Sequence, residues 1–178
     1  AVQAFRAALE VYTRDEWPAS WARTQIALGV ALWTSSNMTG SVARVEEAAQ
    51  SFRAALEVIT RDELPTDWAM TQMNLGNALL PLGEMTGSKA WVEEAILVLR
   101  ASLEILLPEN NFPLWANAAQ TLGSALLRHG TDSGDCSKLI EAKALVAQLM
   151  EHDPKPEEHV DLMRDIEAAI EKAGCAQI

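Results

Sequence analysis

The residues of this chain that could carry chemistry are three histidines, two cysteines and a recurring set of glutamates. His129, His152 and His159 fall late in the chain, and none stands in the HExxH spacing that sets two imidazoles on one helix face around zinc. His152, Asp153 and His159 are the only metal-like grouping; they lie at loops and helix ends, so no metal is expected there. Cys136 and Cys175 form no CxxC pair and have no histidine at zinc spacing. Neither a disulfide framework nor a metal site is expected of them, which makes a reducing, cytoplasmic setting the default. Glu46-Glu47 and Glu93-Glu94 could be paired catalytic carboxylates, but they recur near helix starts, where acids favour the helix dipole. GxSxG, GxxxxGK[ST] and GxGxxG are absent. Neither an enzyme nor a bound cofactor is expected.

The charge balance narrows the partners. The net charge is −11, which repels a phosphate backbone and an anionic membrane surface. A protein or peptide partner of neutral or basic character fits better. No stretch is long and apolar enough to span a membrane, and no signal peptide is visible. The chain opens directly on a helical pattern, AVQAFRAALEV, without an initiator Met. It therefore reads as a segment of a longer protein.

The dominant signal is internal repetition. Trp21, Trp68 and Trp115 are spaced by 47 residues, as are Gly29, Gly76 and Gly123 and also Leu28, Leu75 and Leu122. Laying 1–47 on 48–94 gives 30 identical positions of 47. Each unit reads as two helices. Helix A opens after Pro18 or Pro65, with Ser20 and Thr66 or Asp67 as N-caps. A turn follows at Thr39-Gly40-Ser41, Thr86-Gly87-Ser88 and Ser133-Gly134-Asp135. Helix B then carries Val45, Ala48, Ala49, Phe52, Ala55, Leu56 and Ile59 at i, i+3, i+4, i+7 spacing. A single pair cannot bury its apolar face, so neighbouring pairs must stack. Helices are expected near 1–16, 20–36, 42–61, 67–82, 89–107, 114–129 and 136–151, with a closing one near 156–173. A mid-helix glycine costs about 1 kcal/mol relative to alanine. Three at one register therefore imply close helix approach, expected against Ala48, Ala95 and Ala142.

The spacing L-G-x-x-L followed by A-x-x-x-F-x-x-A resembles the tetratricopeptide repeat (TPR). Here it is Leu28, Gly29 and Leu32, then Ala48, Phe52 and Ala55; next Leu75, Gly76 and Leu79, then Ala95, Leu99 and Ala101 or Ser102; and last Leu122, Gly123 and Leu126, then Ala142 and Val146. The likeness covers about 1–151, with units of 47 residues where the family's usual unit has 34. Units of this length look like TPR arrays in large bacterial signalling proteins. The resemblance implies an all-α, right-handed solenoid of antiparallel helix pairs. Its parts would be a partial repeat at 1–16, repeats at 17–63, 64–110 and 111–153, and a capping segment at 154–178. It also implies a concave groove lined by the A helices.

Between 21 and 34 along helix A the two best-matched units differ at 23, 26, 27, 30, 33 and 34 against 70, 73, 74, 77, 80 and 81, which is one helix face. Packing holds positions alike between units, whereas a surface that reads an irregular partner must vary. The candidate partner-binding residues are Arg23, Ile26, Val30, Trp33 and Thr34; Met70, Met73, Asn74, Asn77 and Leu80; and Asn117, Gln120, Thr121, Ser124 and Arg128. Amides suit an extended peptide backbone, methionine adapts to varied apolar shapes, and Trp and Arg anchor interfaces. Some TPR domains grip a C-terminal carboxylate; Asn74 and Asn77 resemble their asparagines, but Met70 and Met73 stand where a base is wanted. Trp21, Trp68 and Trp115 are expected to pack, and Trp17, Trp33 and Trp91 to be exposed or functional. Pro81 is expected to kink or end its helix.

The leading expectation is an interaction scaffold. A structural spacer or self-assembly module is the second. The third is a sensor region attached to a nucleotide-hydrolysing or protease-like effector, which the resemblance alone suggests. At the ends, Val160, Met163, Ile166 and Ile170 should pack a cap whose outer face carries Glu157, Glu158, Asp161, Asp165 and Glu171. Residues 1–16 match a helix B without its helix A, so a second copy is expected to pair there as a homo-oligomer.

Overall fold

The computed structural model describes residues 1–175; the last three residues of the expected capping segment lie outside them. The described residues are all helical or connecting, with no strand. Eight α-helices follow in order: α1 Val2–Val11, α2 Pro18–Thr39, α3 Val42–Leu56, α4 Pro65–Thr86, α5 Lys89–Leu103, α6 Pro108–Ser133, α7 Cys136–His152 and α8 Val160–Lys172. A 3-10 turn, Pro156–His159, precedes α8.

Local chemistry sets these bounds. Prolines 18, 65 and 108 stand at the first positions of α2, α4 and α6, where a missing N–H is harmless and the fixed φ suits a helix. α2 and α4 therefore start one or two residues before the expected caps, and Trp17, Leu64 and Leu107 hold the cap positions. At the other end Gly40 takes φ 64°, and its N–H donates to the Ser36 carbonyl. Only glycine enters that left-handed region without strain, and Gly87 and Gly134 repeat the turn. Pro81 does not end its helix, since α4 runs through it to Thr86. A single lost hydrogen bond is tolerated where the helix is packed along most of its length. In α6 the first turn breaks at Asn111 (φ −157°, ψ 77°), just before a second proline, Pro113.

Consecutive helices pack on one another, and α2 touches α4, α4 touches α6 and α6 touches α8. The even-numbered helices thus form one layer. The odd-numbered helices form the other, tied by ion pairs at the repeat period. Arg6 bonds Glu47 at 2.5 Å, Arg53 bonds Glu94 at 2.7 Å and Arg100 bonds Glu141 at 2.5 Å. Arg14–Glu57 and Arg61–Glu104 make a second ladder. Glu47 and Glu94 are therefore rungs between units; their carboxylates are already committed to arginines.

Gly29, Gly76 and Gly123 are close-approach sites, but their partners are not the expected alanines. A Cβ on Gly29 would lie 2.7 Å from the Phe52 ring, and one on Gly76 would overlap Leu99; on Gly123 it would sit 2.9 Å from Val146. The knob comes one helical turn after Ala48, Ala95 and Ala142, because a helical side chain leans toward its own N-terminus. Burying a Phe gains roughly 1.5–3 kcal/mol, more than the roughly 1 kcal/mol that glycine costs the helix. Ala48, Phe52, Leu79, Leu82, Leu99, Leu126, Val146 and Leu149 are all sealed in one core that runs the length of the stack.

The cysteines overturn an expectation. Cys136 and Cys175 are joined by a disulfide, with Cα atoms 5.4 Å apart. Their separation of 39 residues hides the pairing in the sequence. It arises because α8 folds back along α7 and returns the chain to the helix start. The thiol argument for a reducing, cytoplasmic setting falls with it. No helix of the described residues is long and apolar enough to cross a membrane.

Candidate functional site

Three clefts lie in a row along the even-numbered layer. The first, about 190 Å³ between α2 and α4, is lined by Arg23, Ile26, Asp67, Met70 and Asn74. The second, about 340 Å³ between α4 and α6, is lined by Trp33, Asn77, Leu80, Pro81, Asn117, Gln120, Thr121 and Ser124. The third, about 570 Å³ between α6 and α8, takes in Glu84, Ser124, Leu127, Arg128, Leu162 and Asp165. Twelve of the fifteen candidate residues line one of these clefts. Val30 and Thr34 are exposed nearby on α2.

Two candidates need correction. Met73 is only 6% exposed and belongs to the core, so it offers nothing to a partner. Leu80, at 7%, gives only an edge to the floor of the second cleft. The physical reason is position in the layer. α4 has even-numbered neighbours on both sides, whereas α2 has one, so the counterparts Ile26 and Trp33 are only half-buried.

The polar groups are partly spent on each other. Asn77 Nδ2 donates to Asn117 Oδ1 at 2.8 Å, and the Thr121 hydroxyl donates to Asn77 Oδ1 at 2.8 Å. This triad clamps α4 to α6 and keeps three expected peptide-binding groups at home. Asn74 and Gln120 have no such side-chain bond among the described residues. Arg128 is held by Asp132 at 2.8 Å, one turn along α6; that hydrogen bond, with the carboxylate's charge, raises the guanidinium's pKa further. Arg23, exposed and without an ion pair among the described residues, is the cation of this face that stands open to a partner. Trp33 presents its ring to the second cleft while its buried indole N–H has no hydrogen-bond partner among the described residues.

The tryptophans do not divide cleanly by register: only Trp115 is buried and only Trp17 is exposed, while Trp21, Trp68, Trp33 and Trp91 are all half-buried. Trp115 is buried against Phe112 and the edge of His152, while Arg14 sits over Trp21 and Arg61 over Trp68 at 5.7 and 5.6 Å. Trp17 is 56% exposed. Trp91 is half-buried beneath Arg53.

The histidines do not converge. His129 faces Glu93 at 3.6 Å, His152 Nδ1 bonds the Gln148 carbonyl, and buried His159 bonds Asp153 at 2.6 Å. The hydrogen bond from His159, with one from the Lys155 N–H, holds Asp153 below the usual carboxylate range. Among the described residues no group of three or more His, Cys, Asp or Glu side chains could hold a metal ion.

The arrangement can present a line of shallow, mixed apolar and amide surfaces, one between each pair of even-numbered helices. No family model, curated protein or solved structure matches this chain.

Proposed function

We propose that this chain is a TPR-like interaction scaffold, a right-handed solenoid that binds a peptide or partner domain in a concave groove along α2, α4, α6 and α8. The observation that carries this reading is the coincidence of two independent patterns. Between Trp21 and Thr34, the positions at which α2 differs from its repeat counterpart in α4 are, Met73 apart, beside or lining the three clefts; past them Ser35 and Ser36 differ from Leu82 and Gly83, which are buried. Framework positions such as Leu28, Leu75 and Leu122 are buried instead.

The curvature has support in the layers. The even-numbered helices approach one another directly, while the odd-numbered ones are linked by long Arg–Glu pairs. A stack with one tighter layer bends toward it, which puts the clefts on the inner side.

The occupant is neutral or basic. Asp67, Glu84 and Asp165 edge the clefts, and the whole chain carries −11. Its extended backbone meets Asn74 and Gln120, and its apolar side chains meet Ile26, Met70 and Trp33. No catalytic role is proposed. As to place, a cytoplasmic chain would keep Cys136 and Cys175 as thiols, whereas the paired geometry suits an oxidising compartment. Alkylation of the native protein in fresh extracts decides between them.

The test replaces Arg23, Asn74 and Gln120 together by alanine. None of the three is in the buried core, so the fold should hold. Affinity capture with the parent chain should retain specific partners that the triple variant loses. Equal capture by both would overturn the groove reading.

A further inference from the structure

Helices α3, α5 and α7 are each packed between two even-numbered helices, whereas α1 has only α2. The consequence is visible residue by residue. In α3 Phe52 fills the space over Gly29, and Ala55 and, just past the helix, Ile59 cluster with Ala22. One period earlier stand Phe5, Ala8 and Tyr12, the same knobs without the helix that receives them. Ser51 is buried, but its counterpart Ala4 is exposed. Tyr12 is 40% exposed and Val11 66%.

The repeat supplies the mould of a helix that would fit this face. Every helix that receives such knobs carries Ala-x5-Leu-Gly-x2-Leu: Ala22, Leu28, Gly29 and Leu32 in α2, and the same pattern from Ala69 in α4 and from Ala116 in α6. The glycine makes room for the knob, since a Cβ there would crowd it unless the side chain shifted.

We infer that the outer face of α1 is a docking surface for a helix of this pattern, belonging to a further repeat unit, whose glycine seats over Phe5. A second copy of the described chain has no such helix to offer. Gly29, Gly76 and Gly123 are already filled by Phe52, Leu99 and Val146. The terminal helix α8, which is the free one at the far end, holds no glycine between Val160 and Lys172. Head-to-tail stacking of copies through α8 therefore lacks its socket.

Tyr12 is the only tyrosine, so a ring-labelled sample reports on this face alone. The first probe is a peptide of residues 17–41 added to the full chain. The second is the full chain with an extra copy of residues 17–47 joined ahead of Ala1, which restores the register. The peptide should shift the Tyr12 resonance saturably, and the extension should bury the ring and raise the melting temperature. Gly29→Leu in the peptide or in the added copy should abolish both effects. Ala4→Arg and Val11→Glu, at exposed positions of α1, should each weaken peptide binding about tenfold or more. Three results would overturn the inference. One is an unmoved Tyr12 with both probes. Another is equal binding by the Gly29→Leu forms. The last is a Tyr12 shift that follows the chain's own concentration without peptide, which would mean that a second copy covers the face.

Discussion

At the C-terminal end α8 lays Ile166 fully into the core, His159 and Asp153 bond beneath it, and a disulfide ties its far side to the start of α7. At the N-terminal end α1 leaves Val11 and Tyr12 in solvent and keeps the side chains that, elsewhere in the chain, lock into a glycine helix. The difference shows what closing a stack requires. α8 keeps a buried stripe, drops the glycine and carries acids outward, so it lacks the socket that the other even-numbered helices offer. α1 changes none of the features that invite addition. A repeat end is sealed by altered residues as well as by an extra helix.

The strongest way to break this contrast is to open the clasp. Cys136→Ser removes a cross-link over 39 residues of sequence separation. In the chain-entropy picture that costs about 4 kcal/mol. Hydrogen exchange should quicken first in α7 and α8; equal loosening of α1 would show that the ends are not independent. Next comes the buried stripe. Ile166→Ala should cost roughly 2–5 kcal/mol, while Val11→Ser should stay within about 0.5 kcal/mol. Denaturant unfolding measures both, and a similar loss for the two would erase the distinction between sealed and open ends.

Acidity sharpens the comparison further. Asp153 sits below its ordinary carboxylate range because the ionised form accepts from His159 and from the Lys155 N–H. Its contribution is full above the unfolded value near 3.9 and is lost as pH falls through the lower folded value. Asp153→Asn should therefore lower the melting temperature at pH 7, and the difference from the parent should shrink toward pH 2. A constant gap across that range would mean that the carboxylate's charge is not what matters. Smallest is the outer ladder. Arg100→Ala and Arg6→Ala remove half-exposed rungs near opposite ends, and each should cost under about 1 kcal/mol, with the effect fading in high salt.

The helix pairs, their period and the glycine register were legible in the sequence, because 30 of 47 shared positions leave little room for another pattern. The glycines' partners were misplaced by one turn, since register alone does not say how far a side chain leans back. The variable face of helix A was read as uniformly available. Met73 and Leu80 show otherwise, because comparing two units ignores how many neighbours each has. Asn77, Asn117 and Thr121 looked like free hydrogen-bonding groups, yet they satisfy one another across helices, which no single helix reveals. The Arg–Glu rungs were within reach, since both partners recur at the period. The disulfide was not, because its two cysteines meet only after α8 has turned back.

The rungs between successive odd-numbered helices have one more consequence. Each is the same bond at the same offset of 41 residues, so every junction in the stack is built to one gauge. Growth or loss of a whole unit leaves every surviving rung correctly matched, while gain or loss of a single residue inside a unit throws acid and base out of line on one side. Size in such a molecule is quantised: evolution or an engineer can lengthen it by copying, but not by stretching.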